Sequence, residues 1–120
     1  MTKILIVDDS MFQLNMVSGF LAELGYDVTS CNKSTDAMGM LDDGQYDCVF
    51  TDLLMPDLDG TQLLALVKAK YPELPVVVLT SNVQKTSETK CRSLGASFFL
   101  NKPVSKDTLA PVLSQLFNGG

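Results

Sequence analysis

Residues 3–9 read KILIVDD, an unbroken run of β-forming residues that stops at two carboxylates. Strands that are apolar throughout, rather than alternating with polar residues, are typical of parallel sheets covered by helices on both faces. The pattern recurs where residues 48–52 read CVFTD and where residues 76–80 read VVVLT. These runs predict buried parallel strands, each ending in a polar side chain.

Apolar residues at helical spacing fill the segments between these strands. The first such segment follows Ser10, a good helix-capping residue, and stops at Gly25. We expect its apolar face to contain Phe12, Met16, Val17, Phe20, Leu21 and Leu24. Further helices are predicted between residues 34 and 44, 61 and 71, and 84 and 94. The last helix contains Pro111, so we expect it to begin late, near Asp107 or Thr108.

Strands and helices alternate along the whole chain. Weaker strands are predicted at residues 28–31 and 98–100, which brings the totals to five strands and five helices. This alternation indicates an α/β fold, a doubly wound five-stranded parallel sheet with helices on both faces and the flavodoxin-like order 2-1-3-4-5. A chain of 120 residues suits one hydrophobic core, so we expect a single domain over residues 1–120.

The composition argues against several classes of function. The net charge is −5 and the nine Lys and Arg residues form no basic stripe, which argues against nucleic-acid binding. No apolar run is long enough to cross a membrane, and the first strand begins at Lys3, which leaves no room for a signal peptide. The three cysteines lack the spacing of a metal or redox pair and fit core positions of a cytoplasmic protein.

Polar side chains follow the predicted strands at one edge of the sheet, where ligands of such folds bind. They are Asp8, Asp9, Asp52, Thr80 and Lys102. Two carboxylates about 4 Å apart repel by roughly 4 kcal/mol at an effective dielectric near 20, so either a pKa rises or a cation binds. Because the chain contains no histidine, a metal here would need oxygen ligands, which favours Mg²⁺ (or Mn²⁺). A nucleophilic carboxylate, a hard cation, a hydroxyl and an ammonium group together suit phosphoryl transfer.

Taken in order, the strand ends resemble those of the response-regulator receiver family over essentially the whole chain. The matching pieces are Asp8-Asp9, DLLMPDLDG at residues 52–60, Thr80-Ser81, Gly95-Ala96 and Lys102-Pro103. The resemblance implies a single-domain, chemotaxis-regulator-like receiver. Such a domain is a phospho-accepting switch of a two-component system, and it catalyses only its own phosphorylation and dephosphorylation.

The resemblance also implies roles for the residues at these strand ends. We call the part of the sheet edge that contains Asp8, Asp9 and Asp52 the acidic edge. Asp52 would be the phospho-acceptor and a metal ligand, Asp9 would bind Mg²⁺ directly, and Asp8 would bind it largely through water. The backbone carbonyl of Leu54 would be a further metal ligand. In the family, side chains at the positions of Leu54 and Asn82 influence how water attacks the acyl phosphate.

A second set of implied roles concerns the phosphoryl group and the switch. Thr80 would donate its hydroxyl to the phosphoryl group, and Lys102 would pair with a phosphoryl oxygen. The Lys102-Pro103 peptide bond would be cis. On phosphorylation Thr80 would move toward the phosphoryl oxygens, Phe99 would fill the vacated space, and the face formed by helix 4, strand 5 and helix 5 would change partners.

Because this chain has no histidine of its own, it must receive the phosphoryl group from outside. The resemblance implies a histidine kinase or histidine phosphotransfer protein as donor, and a downstream protein target that the sequence does not identify. One alternative is a receiver-shaped adaptor or phosphate sink with no phosphorylation-dependent output. A flavin carrier would need a phosphate-binding loop in place of Asp8 and Asp9, and a haloacid-dehalogenase-type phosphatase would need a second aspartate at Leu54.

Overall fold

The fold is built on a parallel sheet, seen in a computed structural model that describes residues 2–81 and 84–117. Its strands are β1 (Lys3–Val7), β2 (Asp27–Cys31), β3 (Cys48–Asp52), β4 (Val76–Thr80) and β5 (Phe98–Asn101). Their order is β2-β1-β3-β4-β5 and every neighbouring pair is parallel, which confirms the predicted topology. Asn82 and the ends of the predicted domain, at residues 1 and 118–120, lie outside the described residues.

Helices connect the strands in sequence. They are α1 (Met11–Glu23), α2 (Ala37–Asp43), α3 (Gly60–Lys70), α4 (Lys85–Ser93) and α5 (Lys106–Phe117), with a short 3-10 turn at Ser34–Asp36 before α2. The predicted cap of α1 is confirmed, because Ser10 Oγ accepts the N–H of Gln13 at 3.3 Å. None of the described helices is long and apolar enough to span a membrane.

The sheet separates two hydrophobic clusters, one on each face. Alternate residues of β1 point to opposite faces, so Leu5 and Val7 join one cluster while Ile4 and Ile6 join the other. Helices α2, α3 and α4 cover the first face, and α1 and α5 cover the second. Burial on both faces explains why the central strands are apolar throughout.

Two details of the helices differ from expectation. Phe12 was expected in the apolar face of α1 but is 72% exposed, and Leu14 is buried in its place. Helix α5 begins at Lys106, earlier than predicted, and continues through Pro111. Pro111 and Asp107 are both exposed, so water can hydrogen-bond the Asp107 carbonyl that the missing proline N–H leaves without a helical partner.

Candidate functional site

Three carboxylates converge where β1 and β3 end. These strands are neighbours in the sheet, with Val7 paired to Thr51, so Asp8 and Asp52 follow at the same edge. One oxygen from each of Asp8, Asp9 and Asp52 lies within 4.8 Å of the others. Asp8 is only 3% exposed, whereas Asp9 is open to solvent. The structure therefore brings together the three acidic residues that the sequence pointed to.

Lys102 bridges two of these carboxylates from the end of β5. Its Nζ lies 2.9 Å from Asp8 Oδ2 and 3.2 Å from Asp52 Oδ1. Its backbone N–H donates to the Thr80 carbonyl at 2.8 Å, which ties the position of Lys102 to the end of β4. The peptide bond to Pro103 is cis, as predicted. The ammonium group thus lies among the carboxylates and pairs most closely with Asp8.

The pKa values of Asp52 and Lys102 are shifted by burial and by the charges of their neighbours, and these effects partly oppose each other. Burial raises the pKa of Asp52, the charge of Lys102 opposes that increase, and the charge of Asp8 adds to it, so the net shift is upward. Burial alone would lower the pKa of Lys102. The hydrogen bond to Asp8 and the charges of Asp52 and Asp8 outweigh burial, and the pKa of Lys102 is raised. Lys102 therefore stays charged, while Asp52 holds a proton more tightly than an ordinary aspartate does.

Backbone groups contact the Asp8 side chain and the chain at the end of β3. The N–H of Ser10 donates to Asp8 Oδ1 at 3.0 Å, so the residue that caps α1 also orients Asp8. On the other side, Gly60 packs directly against β3, and its N–H donates to the Leu53 carbonyl at 2.7 Å. A Cβ at Gly60 would overlap the Asp52 carbonyl and lie 2.7 Å from Leu53 Cα. The sequence analysis included Gly60 only as the last residue of the matching segment 52–60, although a glycine that opens a helix so soon after a candidate nucleophile indicates close backbone packing.

The remaining candidate residues lie on β4, on β5 and in the loop after β3. Thr80 is fully buried at the end of β4, one residue beyond the Leu79 that pairs with Asp52. Phe99 is half-buried, packs against the cluster on the α2–α4 face and pairs in register with Val78, two residues before Thr80. Leu54 is 59% exposed. Thr80 and Phe99 therefore lie on adjacent strands close to the acidic edge.

The donor set of this edge fits a hard divalent cation. Three carboxyl groups face one ammonium group, so a single lysine does not balance the acidic groups of the site. Carboxylate oxygens are the preferred ligands of Mg²⁺, which usually binds a few of them and retains several waters. Asp8, Asp9 and Asp52 are the residues that could hold such an ion, with the exposed side of Asp9 giving access from solvent.

A cavity of about 640 Å³ lies elsewhere, at the opposite end of the sheet. Its walls come from the segments that precede β3 and β4 and include Tyr46, Tyr71, Pro72 and Pro75. None of the acidic edge residues contributes to it. The candidate site therefore lies at the carboxyl ends of the strands and not in this cavity.

Comparison with known proteins identifies one family and several relatives that contain a similar region. The model of a family described as the response regulator receiver domain matches residues 4–114. Protein PilG of Pseudomonas aeruginosa is 32% identical over 109 residues, which cover 89% of this chain and 81% of PilG. The sensor histidine kinase RcsC of Salmonella typhimurium is 32% identical over 111 residues, which cover 92% of this chain.

A similar solved structure and the lengths of the relatives complete the comparison. The chemotaxis protein CheY4 of Vibrio cholerae superposes with a TM-score of 0.92 at 28% identity, covering 98% of this chain and 99% of that one. The chain spans between 7% and 16% of the length of the first curated relatives that it matches. For those relatives, the similarity concerns one region of a longer protein.

Proposed function

Because this chain belongs to the response regulator receiver domain family of two-component signalling, we propose that it is a phospho-accepting switch with Asp52 as its acceptor. The observation that carries the proposal is the position of Asp52, next to Asp8 and Asp9 and within 3.2 Å of the Lys102 ammonium. The matched residues 4–114 support one receiver domain, which we extend to residues 1–120. On this proposal the chain is not an enzyme acting on other molecules.

The transfer itself is a displacement at phosphorus. A carboxylate oxygen of Asp52 forms the new P–O bond as the P–N bond of a donor phosphohistidine breaks. The electron pair of that bond stays on the imidazole nitrogen, which then takes a proton from water. The product is an acyl phosphate, and no general base is required because Asp52 reacts as its anion.

The surrounding residues supply positive charge and hydrogen bonds. Lys102 would pair with a phosphoryl oxygen once it exchanges one of its present carboxylate partners, and Thr80 would donate its hydroxyl. Asp8, Asp9, Asp52 and the Leu54 carbonyl would hold Mg²⁺, which when bound neutralises charge on the transferring oxygens. Removal of Lys102 from Asp8 would leave that buried carboxylate to be compensated by the cation.

We also propose the donors and the readout. The donor is a histidine kinase or a histidine phosphotransfer protein, as for receiver domains in general, and the chain itself contains no histidine that could carry the group. Movement of Thr80 and Phe99 would alter the face of α4, β5 and α5, which would then bind a downstream protein differently. The register of β4 and β5 supports this coupling because it sets Phe99 beside Val78, close to Thr80.

Incubation with acetyl phosphate and Mg²⁺, followed by intact-mass measurement, tests the acceptor. The native chain should gain one phosphoryl group and Asp52→Asn should gain none. Asp57→Asn is the matched control, since it removes an exposed carboxylate from the loop that follows β3 and should leave phosphorylation intact. Phosphorylation of Asp52→Asn to the native level, or no phosphorylation of the native chain, would reject the proposal.

A further inference from the structure

Two cavities lie side by side at the end of the sheet opposite the acidic edge. The larger, of about 640 Å³, is lined by residues 41, 44–47 and 70–75, and we call it the amino-end cavity. The smaller, of about 260 Å³, shares Gly44 and Tyr46 with it. Sites for small molecules commonly have volumes of roughly 300–1,000 Å³. The amino-end cavity is therefore large enough for a small organic ligand.

The walls of the amino-end cavity are largely apolar and include two aromatic rings. Tyr46 belongs to the loop before β3, and Tyr71 follows the last residue of α3. Both tyrosines are half-buried, so their rings are partly accessible from the cavity. The other apolar members of the walls are Leu41, Pro72, Leu74 and Pro75. Such walls favour a ligand with an apolar body over a small hydrated ion.

Both tyrosine rings already lie next to ammonium groups of this chain. Lys3 Nζ is 4.7 Å from the centroid of the Tyr46 ring, and Lys70 Nζ is 5.9 Å from the centroid of the Tyr71 ring. The face of an aromatic ring carries partial negative charge and attracts a cation within about 6 Å of its centroid. The positions of the two lysines show that cations are accommodated beside these rings.

The charged residues of the cavity leave carboxylates without a cationic partner. Asp47 and Glu73 both belong to its walls. The ammonium group of Lys70, which also lines it, is paired with Asp42 at 2.8 Å. Asp47 accepts only the backbone N–H of Lys3, at 2.8 Å, and within the described part of the chain Glu73 forms no ion pair. Positive charge from outside the chain is therefore favoured at Asp47 and Glu73.

We propose that the amino-end cavity binds a small organic amine. Its ammonium group would lie beside Glu73 and Asp47, and its apolar body, preferably an aromatic ring, would contact Tyr46 and Tyr71. The carboxylates disfavour an anion at this position. The site is separate from the proposed phospho-acceptor, because β3 is five residues long and about 13 Å therefore separate its two ends.

Titration of the native chain with 2-phenylethylamine, followed through backbone amide chemical shifts by NMR, tests the proposal. This probe carries one ammonium group and one aromatic ring. At neutral pH it should bind with a millimolar Kd and shift the amides of residues 44–47, 71, 73 and 74. The uncharged probe 2-phenylethanol should bind at least about threefold more weakly, because it lacks the charge that the rings and carboxylates attract. The anionic probe 3-phenylpropionate should leave these amides unchanged.

Two substitutions separate the ionic contribution from the aromatic one, and the chain offers a matched control for each. Glu73→Gln should weaken binding of the amine about two- to fivefold and leave binding of the alcohol unchanged. Tyr46→Leu should weaken both probes about threefold or more, because it removes a ring from the wall. Asp107→Asn removes an exposed carboxylate from α5, and Tyr26→Leu removes a ring that packs on Phe117 instead. Both controls should bind the amine as the native chain does.

Equal affinity of the native chain for the amine and the alcohol, shifts confined to other residues, or an unchanged amine affinity of Glu73→Gln would overturn the inference. A capped Phe-Lys dipeptide that binds more than about tenfold tighter than 2-phenylethylamine would assign the cavity to a basic protein segment and overturn the assignment to a small molecule. Asp52→Asn should bind the amine like the native chain. Amine binding and phosphorylation by acetyl phosphate are measured separately, so failure of one proposal is distinguishable from failure of the other.

Discussion

The environment of Asp52 favours its protonated form, although the proposed reaction needs its anion. Its burial beside Asp8 raises its pKa. Lys102 contacts both carboxylates, and its charge reduces this increase in the pKa of Asp52. A buried acid whose folded-state pKa is raised binds its proton more tightly in the folded protein than in the unfolded chain. The contribution of Asp52 to stability is therefore fully present below its unfolded pKa and is lost as the pH rises through its folded pKa.

Asp52→Asn should consequently stabilise the metal-free protein at neutral pH. We expect the free energy of unfolding to rise by on the order of 1 kcal/mol, because the raised pKa of Asp52 means that its ionised form is less stable in the folded protein than in the unfolded chain, and a neutral amide of the same shape avoids this cost. The gain should shrink as the pH falls toward the unfolded aspartate pKa of about 3.9. Urea unfolding in the presence of EDTA, at neutral pH and near pH 4, measures both values.

The matched control for this pH series is Asp57→Asn. Asp57 is exposed in the loop after β3, so its replacement should change stability by less than about 0.5 kcal/mol at either pH. A native protein that is more stable than Asp52→Asn at neutral pH would show that Lys102 overcompensates the burial of Asp52.

At the scale of elements, the start of α3 limits how the acidic edge can be built. Gly60 is fully packed against the end of β3, and there is no room for a side chain there. Gly60→Ala should therefore push α3 away from β3, lower the free energy of unfolding by about 2 kcal/mol and slow phosphorylation by acetyl phosphate. Urea unfolding and intact-mass time courses measure the two effects.

Gly19→Ala provides the opposite case in the same molecule. Gly19 lies inside α1, and a Cβ there would meet no atom within 4 Å. The substitution should raise the free energy of unfolding by about 0.5–1 kcal/mol, since alanine loses less backbone entropy in a helix.

A stable, fully active Gly60→Ala would contradict the prediction for that residue. It would mean that the connection between β3 and α3 adapts to a Cβ at position 60 without loss of stability.

Elements also mark where sequence reasoning succeeded and where it failed. The strands and their order follow from apolar runs that end in polar residues, a pattern read without knowing any contact. Periodicity placed Phe12 inside because α1 is apolar on more than one side, so spacing alone did not decide between Phe12 and Leu14. Pro111 was expected to delay α5, but an exposed proline leaves a carbonyl that water can reach.

Some features of the candidate site could also be predicted from the sequence, and others could not. The sequence predicted that three carboxylates lie close together, those of Asp8, Asp9 and Asp52, because the carboxyl ends of parallel strands share one edge of the sheet. Their oxygens lie within 4.8 Å of one another, which confirms this prediction. The pairing of Lys102 with Asp8 could not be predicted, because it depends on how a flexible side chain crosses from β5 to β1. The packing of Gly60 was also missed, since a sequence gives no distance between two loops.

At the scale of the whole molecule, the acidic edge is continuous with the core. The strands that end at Asp52 and Thr80 or just before Asp8 are buried on both faces, and residues of these strands belong to two hydrophobic clusters. A ligand that binds the ends of these strands is therefore coupled to global unfolding, because the unfolded chain cannot reproduce the site. Binding to the folded state alone raises the free energy of unfolding by RT ln(1 + [L]/Kd).

Mg²⁺ should therefore stabilise the protein, and the effect should depend on Asp9. At a Mg²⁺ concentration about 100 times Kd, the free energy of unfolding should increase by about 2.7 kcal/mol over the value in EDTA. Asp9→Asn should remove most of this increase. Because Asp9 is exposed, the substitution should change the EDTA value little.

Urea unfolding with and without Mg²⁺ tests this linkage, with Asp57→Asn as the matched loss of one exposed carboxylate. If the cation acted only by screening the net charge of −5, Ca²⁺, Mg²⁺ and a higher NaCl concentration would stabilise all variants alike. If it binds the acidic edge, the native chain and Asp57→Asn should respond equally and Asp9→Asn should not. An equal response of all three chains to Mg²⁺ would contradict a metal site at Asp8, Asp9 and Asp52, and would leave Lys102 as the cation that keeps these carboxylates together.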